Sequence, residues 1–143
     1  MATTFVLSGC AEEGSDAVFE WAVNVGGPAY TGVDGVVYVA EESVSGGETG
    51  SLEKVLGSQD EPLYHTYRVG DVRVDKPLAN GRYDVILHFA EPDEIEAGER
   101  VFDVLVNGKK RVESLNVRVS RDGKIRSGLT VAVPNVKVTD GRL

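Results

Sequence analysis

The chain has little cysteine, little histidine and few aromatic side chains. Its 143 residues include one cysteine, Cys10, and two histidines. A single cysteine cannot close a disulfide within the chain, and a catalytic site built on a histidine base has only His65 and His88 to use. A dyad of Cys10 with one of these histidines is kept as a minor alternative. The sequence patterns of serine hydrolases, zinc proteases and nucleotide-binding loops do not occur.

Positive charge and long apolar runs are also scarce. Lys and Arg number 15 against 23 Asp and Glu, which gives a formal net charge of −8. Nucleic acids and anionic membranes attract basic surfaces, so this balance disfavours both as partners. No stretch approaches the roughly 20 apolar residues of a membrane span, and the N-terminus does not look like a signal peptide. We expect one soluble domain over residues 1–143, because domains of roughly 100–150 residues are common.

Short alternating segments separated by Asx-Gly pairs fill most of the chain. The segments 81–89 and 101–106 alternate apolar with polar residues, as half-buried strands do. Tight hairpin turns require a positive φ, which Asx-Gly pairs supply. These pairs are Asp34-Gly35, Asn80-Gly81, Asn107-Gly108, Asp122-Gly123 and Asp140-Gly141. The sequence therefore predicts an all-β fold, a two-sheet antiparallel β-sandwich, with one helical turn at 51–56 capped by Ser51.

Carboxylates crowd the segment 91–99 and leave three interpretations open. The acidic residues there are Glu91, Asp93, Glu94, Glu96 and Glu99. Two of them on opposite sides of a sugar could serve a glycoside hydrolase. A structural calcium ion is a second interpretation, although no EF-hand pattern is present. The third is a solvated acidic loop in an acidic protein.

Three tyrosines are candidates for a sugar-binding surface. Tyr38, Tyr64 and Tyr67 each lie at a predicted strand edge beside the long loop 41–61. A tyrosine ring can stack on the apolar face of a pyranose, and its hydroxyl can bond a sugar hydroxyl. The alternative is that these rings cover an edge of the core. Trp21 and Tyr83 are predicted to be core residues.

Five segments together resemble the malectin-like carbohydrate-binding domains, including those found as modules in bacteria. They are WAVNVGGPAY (21–30), DGVVYVAEE (34–42), PLYHTYRVG (62–70), GRYDVILHFAEP (81–92) and ERVFDVLVNGKKRV (99–112). They occur in the order that the family shows. The resemblance implies a jelly-roll β-sandwich without catalytic activity, which binds oligo- or polysaccharide at loops on one end.

The resemblance also implies roles for individual residues. Tyr38 matches an aromatic residue that flanks the sugar, and Tyr64 matches the tyrosine of a Y-x-T-x-R strand. Asn24 belongs to the opening N-x-G-G motif, for which a tight backbone turn is an equally good explanation. Animal members carry an aromatic pair after FAE, whereas this chain has Pro92-Asp93. A different sugar or a weaker site is therefore implied. Tyr38, Tyr64 and Tyr67 are predicted to line one cleft with residues near Glu91 and Asp93.

The two ends of the chain carry a further prediction. Family members continue after the C-terminal DGxL segment with a closing strand and a turn that contains an Asp. Residues 3–9 and the turn after them resemble that closing strand and turn, which a circular permutation would explain. The strand TTFVLSG is then predicted to pair beside the strand that ends at Val138. Asp16 would supply the carboxylate that accepts hydrogen bonds from sugar hydroxyls. The alternatives are a truncated domain and an Asp16 that caps a surface turn.

The function expected from the sequence is that of a non-catalytic carbohydrate-binding module. We expect an oligo- or polysaccharide partner, no nucleic-acid or membrane partner, no cofactor, and a monomer. A place in a larger protein outside the cytoplasm, extracellular or periplasmic, follows from the resemblance to modules of polysaccharide-degrading enzymes. A β-sandwich for protein interaction or assembly, in which the tyrosines form a subunit contact, is the alternative from another class.

Overall fold

The fold consists of short antiparallel strands with little helix. The computed structural model describes residues 18–143, and of residues 4–10 the backbone. Strand makes up 47% and helix 6% of the structure, which confirms the all-β prediction. No helix in the described part is long and apolar enough to cross a membrane. The strands are β1 (Thr4–Cys10), β2 (Val18–Asn24), β3 (Tyr30–Thr31), β4 (Val37–Tyr38), β5 (Val44–Ser45), β6 (Glu48–Ser51), β7 (Thr66–Val69), β8 (Arg73–Val74), β9 (Gly81–Phe89), β10 (Phe102–Val106), β11 (Lys109–Leu115) and β12 (Leu129–Val138).

The main sheet has the strand order β12-β9-β1-β2, and all of its pairs are antiparallel. Its longest interior strand, β9, alternates as the sequence predicts. The inward-facing residues of β9 are buried, and they are Tyr83, Val85, Leu87 and Phe89. A strand exposes successive side chains to opposite faces, so one face of β9 meets the core and the other carries Ile86 and His88.

A second layer of three short two-stranded sheets, β10-β11, β5-β8 and β6-β7, completes the β-sandwich, while β3-β4 lies beside β2, where Val39 and Val23 form a parallel bridge. The core between this layer and the main sheet is built on Trp21, Leu87 and Phe89, against which Val74 and Phe102 pack. Phe89 and Phe102 meet edge to face, with ring centroids 5.4 Å apart. The hairpin predicted at Asn107-Gly108 is present as β10-β11.

A smaller core cluster lies on the segments between β3 and β9. It contains Ala22 of β2, Tyr38 of β4, Val55, Leu63 and Tyr64, together with Ala90. Ala22 alternates with Trp21 along β2, so this cluster meets the face of the main sheet opposite to the first core. The loops between β3 and β7 are therefore anchored by buried apolar side chains.

The prediction of a helical turn at 51–56 is wrong, because the structure has no helix there. The backbone amides there bond to distant acceptors: Leu52 N to His65 O (2.7 Å), Val55 N to Glu61 Oε1 (2.9 Å) and Leu56 N to Arg126 O (2.8 Å). Tertiary contacts have outweighed local propensity in this segment. The helices described are a 3₁₀ turn, η1 (Glu61–Tyr64), and α1 (Val117–Ser120), whose N-cap Asn116 accepts a bond from Val119 N (3.0 Å).

The N-terminal strand belongs to the main sheet but not at the predicted place. We expected it beside the strand that ends at Val138, which is β12. Instead β1 pairs with β9 and β2, with Thr4 opposite both His88 and Asn24. β9 separates β1 from β12, because β12 already occupies the other edge of β9. Asp16 lies outside the described residues.

Candidate functional site

Tyr30, Tyr38 and Tyr64 lie together with Asp60 and His88; we call this group the tyrosine cluster. Tyr30 and Tyr38 are cross-strand partners in β3-β4, and their ring centroids are 6.4 Å apart. The Tyr64 hydroxyl lies 3.0 Å from Nδ1 of His88, and the two rings meet edge to face. The 3₁₀ turn η1, which has Pro62 in its first turn, brings Tyr64 over the face of β9 that carries His88.

Asp60 ties this cluster to the loop before β4. Its Oδ1 accepts from the Tyr30 hydroxyl (3.0 Å) and from the amide of Val33 (2.8 Å). Asp60 N in turn donates to Ser58 Oγ (3.0 Å), which fixes the turn that carries the carboxylate. The cluster therefore holds one carboxylate between a tyrosine hydroxyl and a loop amide.

The electrostatics of the cluster keep its tyrosines and its histidine neutral. Burial, with the nearby Asp34 and Asp60 carboxylates, raises the pKa of Tyr38 to about 12. Burial also raises the pKa of Tyr64. The pKa of His88 is lowered by burial, against the opposing effect of Asp60 and Asp34. At neutral pH the tyrosine hydroxyls remain donors and His88 is an uncharged partner.

Tyr38 and Tyr64 are core residues, with exposed fractions of only 4% and 3%. A Cβ on Gly128 would lie 2.9 Å from Cζ of Tyr64, so the backbone there is packed directly on the ring. Removal of the Tyr64 side chain is therefore expected to lower the stability of the fold. Of the three tyrosines in the tyrosine cluster, Tyr30 is half-buried, whereas Tyr38 and Tyr64 are buried.

A second group, which we call the Arg100 cluster, joins Arg100 to Glu91 and Asp93, with Tyr67 beside them. Arg100 Nη1 donates to Glu91 Oε1, and Nη2 donates to Asp93 Oδ2 (3.0 Å). Asp93 N also donates to Glu91 Oε1 (3.1 Å). Burial raises the pKa of Glu91, which is 1% exposed, while the Asp93 amide and Arg100 act in the opposite direction. Glu91 is thus a buried acceptor for both of these donors.

Tyr67 is half-buried and belongs to the surroundings of the Arg100 cluster. Burial raises the pKa of Tyr67, and the charges of Asp93, Arg100 and Glu91 act on the hydroxyl. Its cross-strand partner is Gly50, where a Cβ would come 2.4 Å from the Tyr67 hydroxyl oxygen. The Tyr67 ring therefore occupies the space that a side chain at position 50 would need, and only glycine leaves that space open.

The structure brings together some of the predicted site residues and separates others. Tyr38 and Tyr64 share the smaller core cluster, whereas Tyr67 packs against the larger core and lies near Glu91 and Asp93. A single cleft lined by all five remains a prediction.

Asn24 has a structural environment. It is buried, its Nδ2 donates to Pro28 O (2.9 Å), and its Oδ1 accepts from Thr66 Oγ1 (3.4 Å). Gly26 has a φ of 74°, and its N donates to Glu41 Oε2 (2.5 Å). The side-chain nitrogen and oxygen of Asn24 both form hydrogen bonds within the protein, as expected for a residue that stabilises the turn after β2.

Two further residues of the Y-x-T-x-R segment act in the same turn. Thr66 Oγ1 donates to Val25 O (3.0 Å). Arg68 holds the Glu41 carboxylate through two nitrogens, with Nε 2.8 Å from Oε2. Together with buried Tyr64, these contacts assign the motif to the framework that positions the loops.

The acidic segment does not form a metal centre in the described part of the chain. No group of three or more His, Cys, Asp and Glu side chains there could hold a metal ion. Glu91 and Asp93 are bridged by one guanidinium, an arrangement typical of a structural ion pair.

Sequence reasoning missed Asp60, His88 and Arg100 as members of these clusters. Ser58-x-Asp60 before Pro62 is a turn pattern and was the available signal for Asp60. His88 was interpreted as a sheet-surface residue; it does lie on that face of β9, but Tyr64 packs against it. Arg100 could not be paired with Glu91 from spacing alone, because the loop between them follows no periodic pattern.

The comparisons with known proteins agree with the resemblance found in the sequence. A model of the malectin domain family matches residues 19–143. Malectin-B of Xenopus laevis is 32% identical over 107 residues, which cover 68% of this chain and 38% of that protein. Malectin of Homo sapiens is 30% identical over 121 residues, covering 78% and 41% respectively. The kinesin-like protein KIN-14Q of Arabidopsis thaliana is 33% identical over 102 residues, covering 65% of this chain and 8% of that protein.

No solved structure gives a significant match to the chain. The chain spans about two fifths of the length of the malectins it matches. The family match covers nearly all of the described residues, and it includes both the tyrosine cluster and the Arg100 cluster. The chain belongs to the malectin domain family, a family of non-catalytic carbohydrate-binding domains.

Proposed function

We propose that this domain binds a neutral oligo- or polysaccharide at the surface formed by Tyr67, Asp93 and Arg100. The observation that supports it best is that Asp93, an exposed carboxylate paired with the Arg100 guanidinium, is near enough for its charge to help burial raise the pKa of half-buried Tyr67. A pyranose can stack its apolar face on the ring while its hydroxyls bond the carboxylate and the guanidinium. Charge-assisted bonds of this kind are roughly twice as strong as neutral ones.

The net charge of the chain favours a neutral sugar. A net charge of −8 gives the protein an overall repulsion of polyanions. Arg100 is already engaged by Glu91 and Asp93, so it does not offer an unpaired positive charge to a sugar carboxylate. We therefore expect glucans, galactans or xylans rather than uronic-acid polymers.

Tyr38 and Tyr64 act on this surface through the backbone at the end of β9. Both pack in the cluster that contains Ala90, the residue directly before Glu91. Their burial fixes the end of β9, from which Glu91 and Asp93 extend. Substitution of either tyrosine is therefore expected to affect binding through the backbone of residues 90–93.

Calorimetry and affinity electrophoresis across a panel of glucans, galactans and xylans test the proposal. We expect Tyr67→Ala and Asp93→Asn to weaken binding at least about tenfold, which corresponds to about 1.4 kcal/mol. Asp122→Asn is a matched control, because Asp122 is an exposed carboxylate in the turn after α1. Absence of binding to every polysaccharide, or equal affinities for all three variants, would contradict the proposed surface.

We also propose that the domain acts as a monomeric, accessory part of a larger polysaccharide-degrading protein, extracellular or periplasmic. Structural polysaccharides of cell walls lie outside the cytoplasm, and a binding module there keeps an attached enzyme on its substrate. Cell fractionation of the natural protein tests the location, and detection in the cytoplasm alone would contradict it. The isolated domain should release no reducing sugar from the polysaccharide that it binds.

A further inference from the structure

The segment 118–126, which covers most of α1 and the turn after it, concentrates positive charge in an acidic protein. It contains four basic side chains and one acidic side chain, in a chain whose net charge is −8. None of the four forms an ion pair with a carboxylate of the described residues, and the hydrogen bonds that they donate go to the neutral acceptors Gly123 O, Ser127 Oγ and Pro92 O. The basic residues are Arg118, Arg121, Lys124 and Arg126.

Arg121 has a half-buried guanidinium that is fixed on one side by a hydroxyl group. Its Nε and Nη2 both donate to Ser127 Oγ, at 3.1 Å and 2.9 Å, and Ser127 is buried. An arginine carries five N–H donors, of which this contact uses one on Nε and one on Nη2. The other edge of the guanidinium, formed by Nη1 and the second N–H of Nη2, has no acceptor among the described residues. We call it the free edge of Arg121.

Gly57 leaves the guanidinium accessible from solvent. This residue is exposed, with a φ of 79°. A Cβ at position 57 would lie 3.0 Å from Nη2 of Arg121 and 3.2 Å from Ser127 Oγ. A side chain there would therefore crowd the guanidinium, whereas glycine keeps the approach open.

The nearby carboxylate of Asp60 does not neutralise Arg121. Burial raises the pKa of Tyr64, and the charge of Asp60 adds to this effect while the charge of Arg121 opposes it, so both charges lie near the same ring. Asp60 Oδ1 accepts from the Tyr30 hydroxyl (3.0 Å) and from Val33 N (2.8 Å). Asp60 is thus bonded to the loop before β4 and forms no ion pair with Arg121. A half-buried charge without a counter-charge is unfavourable, and an anion that binds the free edge would relieve this cost.

The chemistry of the free edge selects an oxyanion. Two N–H groups of a guanidinium form a planar fork that fits two oxygens of one anionic group. Lys124 N donates to Arg121 O (3.0 Å), and Arg126 directly precedes Ser127, so two further cations lie within a turn of the site. Coulomb attraction grows with the charge of the ligand, which favours a doubly charged group over a carboxylate.

We propose that the free edge of Arg121 binds a single phosphate or sulfate group. The net charge of −8 repels long polyanions, whereas one such group meets only the locally positive segment 118–126. The group comes either as a free ion or as an ester on a small molecule. This site is separate from the proposed sugar surface and uses neither Tyr67 nor Asp93.

Nuclear magnetic resonance of the ¹⁵N-labelled domain provides the readout. The Nε–H signal of Arg121 and the backbone amide of Gly57 are followed while sodium phosphate or sodium sulfate is added. We expect saturable shifts of both signals, with a dissociation constant in the millimolar range or below. Sodium chloride at the same ionic strength is the control for screening. Equal shifts in chloride, or no saturable shift in phosphate and sulfate, overturn the proposal.

Three variants locate the binding. Arg121→Met is expected to weaken phosphate binding at least tenfold, and Arg121→Lys to weaken it also, because a lysine keeps the charge but loses the fork. Arg111→Met is the matched control, since Arg111 is exposed on β11 and donates to a neutral acceptor, Pro134 O. It removes one positive charge and should leave the affinity nearly unchanged. Circular dichroism shows whether each variant folds. Full affinity in a folded Arg121→Met variant overturns the proposal; if that variant does not fold, full affinity in Arg121→Lys does so.

The source of the anionic group is decided by comparing three small molecules. A hexose phosphate that binds at least tenfold more tightly than inorganic phosphate would assign the site to a phosphate ester. Equal affinities would assign it to the free ion, and both results support an oxyanion site. The unphosphorylated hexose should leave the Arg121 signal unchanged. If it shifts this signal as strongly as the hexose phosphate does, sugar hydroxyls are recognised instead, and the proposal is overturned.

Discussion

The hydroxyl of Tyr64 and Nδ1 of His88 lie 3.0 Å apart on the face of β9 that is turned away from the larger core. Sequence spacing gives no indication that these two side chains meet. The contact joins η1 to the main sheet, and the backbone of Gly128 covers the same ring. Tyr64 therefore contributes to stability through packing and through its hydroxyl, and the two contributions can be measured separately.

We expect Tyr64→Phe to lower the free energy of unfolding by about 1–2 kcal/mol, because the hydroxyl partner of His88 is lost. Tyr64→Ala should cost about 3–5 kcal/mol, since it also leaves a cavity. Urea unfolding followed by circular dichroism measures both. Tyr30→Phe is the control for loss of a hydroxyl from a more exposed ring. An unchanged Tyr64→Ala midpoint would contradict the buried position of this residue.

Stability should fall as the pH falls below about 6.5, because of His88. Burial lowers the pKa of His88 from 6.5 in the folded state, so the unfolded chain binds a proton first. The stabilisation is therefore complete above the unfolded value and is lost as the pH falls toward the folded pKa. Denaturant titrations at pH 7.5 and 5.5 measure the difference. His88→Gln should flatten this part of the profile, and an unaltered slope in that variant would show that another group is responsible.

Arg100→Met should destabilise the domain by about 3 kcal/mol, because it leaves the Glu91 carboxylate buried without its positive partner. Lower pH should relieve part of this loss, since protonation of Glu91 removes the buried charge. Thermal melting at pH 7 and pH 5 measures both effects. The double variant Glu91→Gln with Arg100→Met should recover part of the stability. A double variant less stable than Arg100→Met would contradict the assignment of Glu91 as the affected group.

Gly50→Ala should weaken sugar binding about tenfold, because a methyl group there displaces the Tyr67 ring and loses about 1–1.5 kcal/mol of stacking; some stability is also lost, since that ring packs against the larger core. Alanine fits extended backbone at least as well as glycine, so the strand itself tolerates the change. Calorimetry with the best polysaccharide of the panel gives the affinity, and melting gives the stability. Tyr67→Phe is the control that keeps the ring in place. Full affinity in Gly50→Ala would place the sugar elsewhere.

Residues 81–115 show how far sequence patterns determine this fold. The alternation along β9 and the Asn107-Gly108 turn are local signals, and both were predicted correctly. The segment 51–56 was not, because its amides bond to residues far away in the chain. Tyr38 lies in a two-residue strand, too short for a period of two to reveal its burial.

The candidate site was predictable only in part. The family followed from motifs in the sequence, whereas a sugar site at Tyr67, Glu91 and Asp93 stays a prediction. The pairing of Arg100 with Glu91 and Asp93 depends on the path of an irregular loop, which no periodicity describes. Asp60 depends in the same way on the turn that Ser58 closes.

The interior position of β1 has a consequence for synthesis on the ribosome. β1 emerges before the other described strands and can pair early with β2, its neighbour along the chain. The other edge of β1 stays unpaired until β9 has been translated, since Thr4 pairs with His88. During that interval the β1-β2 hairpin exposes an unpaired edge, which is a site for aggregation or chaperone capture. Completion of the main sheet is then set by a long-range pairing, so slow folding is expected.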